Sequence, residues 1–165
     1  MEASAVAGWS DFLIAAAGTA GALAGLLFVA ISINLTRIIE IPGVSGRAAE
    51  SIILLSATLS ETLACLIPNL SAAQLGLVLV VISVPAWIVP VMIQFESIRA
   101  RTYIRPSYAV SRALLHQAAT LPAVLAALSF RGLLHGGVLW LGVGVLASML
   151  VAIFNAWILL VEILR

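Results

Sequence analysis

Residues 12–36 read FLIAAAGTAGALAGLLFVAISINLT and contain no charged side chain. Three further stretches without an acidic or basic charge occupy residues 62–95, 113–130 and 136–161. An α-helix needs about 20 apolar residues to cross the hydrocarbon core of a bilayer. Because lipid offers no hydrogen bonds, a backbone that crosses it must pair its own polar groups. These stretches therefore predict membrane-spanning helices and make the lipid bilayer the main surroundings of the chain.

The composition agrees with this interpretation. The 165 residues are 63% hydrophobic and 9% charged, and none is lysine, whereas soluble domains carry about 25% charged residues. The few arginines lie beside the apolar stretches rather than in a basic patch, which argues against nucleic-acid binding. Cys65 is the only cysteine, so no disulfide can form within the chain. The N-terminus lacks the basic region of a cleaved signal peptide, so we expect the first span to be retained.

Prolines and glycines divide the chain into a predicted single domain of five transmembrane helices, an all-α integral membrane bundle. We place the helices at about 11–39, 47–68, 72–101, 107–130 and 136–164. Pro42 and Gly43 follow the first helix, and Pro68 and Asn69 predict a tight turn after the second. Pro106 suits the first turn of the fourth helix, where a missing N–H group costs nothing.

The arginines predict the orientation of the bundle, because cytoplasmic loops of membrane proteins retain Lys and Arg. Seven of the eight arginines fall in or beside alternate loops or at the C-terminus: Arg37, Arg47, Arg99, Arg101, Arg105, Arg112 and Arg165. Only Arg131 lies on the other side. We therefore expect the N-terminus outside and the C-terminus in the cytoplasm. The second helix is the weakest prediction since it holds Glu50 and Glu61, but without it the arginine-bearing loops would lie on opposite sides.

The second predicted helix has one polar face, formed by Glu50, Ser51, Thr58, Glu61 and Thr62. Glu61 is the deepest ionisable residue, and a carboxyl group at such depth is a candidate functional site by default. It would handle an ion or a proton from a protein-facing position. The alternative is a structural carboxyl group that joins helices through Thr58 or Thr62.

A second layer of polar residues lies near the predicted cytoplasmic ends of the helices. Glu96, His116 and Asn155 are its candidates for handling ions or protons, with Gln94 and Arg112 at a similar depth. A His–carboxylate pair in this layer would suit proton transfer. The alternative is a belt of interfacial side chains that reach toward the headgroups.

Small residues predict where helices pack, because close backbone approach drives helix association in lipid. Gly18, Gly21 and Gly25 share a face of the first helix, and Gly137 and Gly144 share a face of the fifth. The chain offers more such faces than one small bundle needs. We therefore expect a symmetric homo-oligomer.

The sequence contains no recognisable enzyme motif, and we predict no catalytic residues, no cofactor and no metal site. Zinc sites need three or four converging ligands, whereas His116 and His135 lie at opposite ends of the bundle. The leading hypothesis is an oligomeric channel or small permeation unit for ions or small solutes. The alternative is a non-conducting accessory or scaffold subunit with a larger membrane protein complex as partner.

One part of the chain resembles a known group of proteins. GALAGLLFVAISINLTRI at residues 21–38 and RAAE at residues 47–50 look like the opening of a family of small multi-pass bacterial membrane proteins without assigned chemistry. The resemblance covers about the first third of the chain and consists of similar amino-acid composition and local sequence pattern. It implies the inner, or plasma, membrane of a bacterial cell and no particular substrate.

Overall fold

The structure is a computed structural model that describes residue 6 and residues 8–100 and 106–163, without the side chains of Pro106, Glu162 and Ile163. This part of the chain is helical and contains no strand. The helices are α1 Ser10–Ile33, α2 Leu35–Glu40, α3 Val44–Cys65, α4 Ala72–Arg99, α5 Pro106–Phe130 and α6 Gly137–Ile163. All except the short α2 are long and apolar enough to cross a membrane. The prediction of an all-helical chain with five membrane-length helices is confirmed.

The first predicted helix, 11–39, is interrupted at Asn34, which divides it into α1 and α2. The Asn34 side chain donates a hydrogen bond to the Ala30 carbonyl oxygen at 2.9 Å. Its backbone N–H is shared between the carbonyl oxygens of Ala30 and Ile31 at 3.3 and 3.2 Å. Asparagine side chains compete with the backbone in this way and interrupt helices. The apolar pattern continues across residue 34, so it gave no sign of the break.

The remaining connections follow local chemistry. Gly43 precedes α3 with a φ of 84°, and Asn69 turns the chain after α3 with a φ of 62°, so the predicted turn at Pro68 and Asn69 forms. Ser71 and Gln74 form a capping box at the start of α4, each side chain bonding the other's backbone N–H. Such reciprocal bonds satisfy N–H groups that a helix start leaves unpaired.

Four helices form a closed ring around one axis. α3 packs against α4, α4 against α5, α5 against α6, and α6 returns to α3. α1 lies outside this ring and packs mainly on α3. α3 contacts neighbours on several sides, and it carries more of the buried polar side chains than any other helix.

The predicted packing glycines fall into two groups. A Cβ atom added at Gly144 would lie 3.0 Å from the Ala123 backbone nitrogen, so α5 and α6 approach closely there. A Cβ at Gly18 or Gly25 would meet nothing within 4 Å, and at Gly21 only Leu59 at 3.9 Å. Gly18 and Gly25 therefore have no close helix contact within the single chain, and a contact there in an oligomer stays a prediction. Both face outward because α1 turns a different side toward α3.

Two further glycines, Gly137 and Gly76, lie near the starts of α6 and α4 and have different roles. Gly137 begins α6 with a φ of +36°, and the nearest atom to an added Cβ there would be a Phe130 ring atom at 3.9 Å. Its role is conformational rather than close packing. At Gly76 an added Cβ would lie 3.0 Å from the Arg131 backbone nitrogen, so the start of α4 contacts the end of α5.

Candidate functional site

α3 brings two carboxyl groups to the axis of the ring. Glu50 is 1% exposed and Glu61 is 4% exposed. Eleven residues of helix separate them, which corresponds to about 16 Å at 1.5 Å per residue. The two groups have different surroundings, and the difference indicates different roles.

Glu50 is fully engaged in an ion pair. Nε of Arg112 donates to its Oε2 at 2.8 Å, and Nε2 of Gln94 donates to its Oε1 at 2.6 Å. Counting side-chain atoms alone, Arg112 is 3% exposed and Glu50 is 2% exposed. Gly46 leaves room for the guanidinium, since a Cβ there would lie 3.4 Å from Nη2 of Arg112. This cluster, here called the Glu50 clamp, ties α3 to α4 and α5.

A second contact at the same end completes the ring. Nη1 of Arg47 donates to Oδ1 of Asn155 at 3.3 Å, which joins α3 to α6. Asn155 is 4% exposed. Of the residues predicted to handle ions in this layer, Asn155 therefore serves as an acceptor for an arginine and stabilises the packing of two helices.

His116 lies within the range of an electrostatic interaction with Glu50 but makes no hydrogen bond to a carboxyl group among the described residues. Nε2 of His116 lies 3.1 Å from the Trp87 carbonyl oxygen, while the Trp87 indole N–H donates to Gln117 at 2.7 Å. Nδ1 of His116 is buried without a hydrogen-bond partner in the described part of the chain. Glu96 lies on the exposed surface of α4. The prediction grouped these residues by their depth in the membrane, which does not state which helix faces meet.

Glu61 is a buried carboxyl group without a partner among the described residues. Among the described residues it makes no hydrogen bond and no ion pair. Thr58 and Thr62 donate instead to carbonyl oxygens of their own helix, Leu54 and Thr58, each at 2.8 Å. The alternative interpretation, in which Glu61 joins helices through these threonines, is therefore not supported.

Glu61 lines a small cavity on the axis of the ring, with a volume of about 10 Å³. This is roughly the space that one water molecule needs. All four ring helices contribute to it: Leu54, Ala57 and Glu61 from α3, Ser83 and Ala86 from α4, Thr120 and Ala123 from α5, and Ser148 from α6.

Each hydroxyl group of this cavity donates its hydrogen bond to a backbone carbonyl oxygen. Ser83 donates to the Leu79 carbonyl oxygen at 2.7 Å, and Thr120 donates to that of His116 at 2.8 Å. Ser148 donates across to α5, to the Ala119 carbonyl oxygen at 3.0 Å. Each hydroxyl oxygen keeps its lone pairs as acceptors.

Pro90 lies four residues after Ala86, which is one of the residues that line the cavity. Proline has no backbone N–H and leaves the carbonyl four residues earlier without its helical donor. That carbonyl belongs to Ala86, which lines the cavity. The site therefore combines one carboxyl group with oxygen atoms that accept hydrogen bonds, an arrangement that suits a cation or a proton rather than an anion.

Comparisons with protein-family models, with curated proteins and with solved structures return no match. The family resemblance at residues 21–38 therefore stays a prediction. The function has to be argued from the geometry of the site.

Proposed function

We propose that the protein is a multi-pass protein of the cell inner membrane that acts as a small ion permeation unit, with Glu61 at its central site. The observation that carries this proposal is the unpaired, buried Glu61 carboxyl group in a cavity that all four ring helices share. The five membrane-length helices support a multi-pass membrane protein.

The physical reason is the cost of an isolated charge in a medium of low dielectric constant. A carboxylate buried without a basic partner is stable only when it holds a proton or a cation. Ionisable residues within membrane helices face the protein interior and mark ion pathways. A structural carboxyl group would instead resemble Glu50, which has both its oxygens bonded.

The Glu50 clamp gives the proposed pathway a closed end. It joins three of the four ring helices about 16 Å along α3 from Glu61. An ion that travels along the axis has to pass the Glu50–Arg112 ion pair, so permeation requires these two side chains to separate. With this ion pair formed, the proposed permeation unit is in a closed state that does not conduct ions.

Orientation in the membrane is a separate prediction. We expect the C-terminus and the loop around Arg99 in the cytoplasm and the N-terminus outside, since most arginines lie at that end of the bundle. A reporter enzyme that is active only in the cytoplasm should therefore be active when it is fused at the C-terminus. Cleavage of the Arg99 loop by a protease added from outside the cell would contradict this orientation.

A change of Glu61→Gln should reduce cation or proton flux to the level of empty liposomes while the bundle stays folded. Glutamine keeps the size and hydrogen-bonding capacity of the side chain but cannot carry a negative charge. Flux is measured with the purified protein in liposomes under an imposed ion gradient. Glu96→Gln is the matched control, because Glu96 is exposed on α4. Equal flux for wild type and Glu61→Gln would refute the role of Glu61.

The alternative function, a non-conducting scaffold subunit, is favoured by one observation. The outward face of α1 presents Gly18 and Gly25 with nothing within 4 Å of an added Cβ. Another membrane helix could approach closely there, either from a second copy in a homo-oligomer or from a membrane protein partner. Absence of flux together with stoichiometric co-purification of one larger membrane protein would favour the scaffold.

A further inference from the structure

We infer that Glu61, Ser83, Thr120 and Ser148 form a binding site for one dehydrated monovalent cation of the size of Na⁺. The inference deepens the proposed permeation function by naming the ion that the central site holds. It is argued from the chemistry, charge and size of the cavity.

The chemistry of the lining selects a cation. The cavity presents the Glu61 carboxyl group together with hydroxyl oxygens whose protons are directed to backbone carbonyls at 2.7 to 3.0 Å. Oxygen atoms with free lone pairs are the ligands of hard cations. An anion would meet only acceptors, so it is excluded.

The charge of the site selects a monovalent ion. Glu61 is the only ionisable side chain among the residues that line the cavity. A single positive charge would neutralise it, whereas a divalent ion would leave one uncompensated charge in the interior of the bundle. Uncompensated charges of this kind are strongly unfavourable.

The size of the site selects a small ion without its water shell. The cavity has about 10 Å³, enough for about one water molecule, so a hydrated ion does not fit. Na⁺ is smaller than water, and Cs⁺ is larger. Glu61 makes no hydrogen bond to these hydroxyl groups among the described residues, and all four side chains belong to residues that line the cavity.

The test is the thermal stability of the purified protein in detergent, with NaCl replacing choline chloride at constant ionic strength. A ligand that binds only the folded state raises the melting temperature. For the wild type we expect a rise of about 5 °C when Na⁺ reaches roughly ten times its dissociation constant. CsCl should give no rise, and Glu61→Gln should lose the response to Na⁺.

A matched pair of threonine variants separates ion binding from general stability. Thr120→Val removes one cavity oxygen and should weaken Na⁺ binding by about tenfold, which corresponds to about 1.4 kcal/mol. Thr58→Val removes an equally buried hydroxyl with the same bond to its own helix, at 2.8 Å, but outside the cavity. It should keep the full Na⁺ response.

Two results would overturn the inference. The first is an equal melting temperature of the wild type in NaCl and choline chloride, which would leave Glu61 as a protonated group. The second is a Na⁺ response that persists in Glu61→Gln. Liposome flux is read separately: Na⁺ binding without flux refutes permeation alone, whereas flux without Na⁺ binding refutes this site alone.

Discussion

Arg112→Ala is expected to destabilise the bundle by about 3–5 kcal/mol, the typical cost of removing one partner of a buried ion pair. The change leaves the Glu50 carboxylate 1% exposed with only Gln94 to bond it. It also breaks the connection of α5 to α3. The loss is measured as a lower melting temperature or denaturant midpoint of the purified protein in detergent.

Two further variants show whether the effect belongs to the ion pair. The double change Glu50→Gln and Arg112→Met removes both charges and keeps an amide beside Gln94, so it should recover most of the stability. Arg99→Ala removes an exposed arginine at the end of α4 and should change the stability by no more than about 0.5 kcal/mol. If Arg112→Ala behaves like Arg99→Ala, the Glu50 clamp does not stabilise the fold.

Gly144→Leu is expected to force α5 and α6 apart and to destabilise the protein by about 3 kcal/mol, at the upper end of overpacking costs. A single Cβ at residue 144 would already lie 3.0 Å from the Ala123 backbone nitrogen. Backbone cannot turn aside as a flexible side chain can. The expected result is a lower melting temperature together with loss of the cavity that Ala123 lines.

Gly25→Leu is the matched control for this prediction. It places the same side chain on a helix glycine where an added Cβ meets nothing within 4 Å. We expect the stability of the single chain to be unchanged. Equal melting temperatures for Gly144→Leu and Gly25→Leu would contradict the close approach of α5 and α6.

The fold class was predictable because it follows from chain-wide properties. Apolar stretches indicated the five membrane-length helices, although α3 also contains Arg47, Glu50 and Glu61, and Gly43 and Asn69 marked the turns. The break at Asn34 was not predictable from hydropathy, because it depends on one side chain bonding the Ala30 carbonyl oxygen. Helix periodicity reports which residues share a face and not where a helix bends.

The site was predictable only in part. The polar face of α3 indicated that Glu61 faces protein, but Ser83, Thr120 and Ser148 were not predicted to line its cavity. Nothing in a single sequence states which faces meet, since that depends on helix rotation and on the ring order. Arg112 was missed as the partner of Glu50 for the same reason: the arginine distribution predicts a side of the membrane, not a buried contact.

The Glu50 clamp has a consequence for how the chain is made. Glu50 and Arg112 are 62 residues apart, so the ribosome completes α3 well before α5 exists. α3 has the lowest hydropathy of the five membrane-length helices, and an acidic side chain costs about 2.5–3.5 kcal/mol when a helix enters lipid alone. We therefore expect that the insertion machinery retains α3 until α4 and α5 have followed it. On this expectation the most buried of the five membrane-length helices is one of the last to leave the protein-lined channel, although it is among the first to be synthesised.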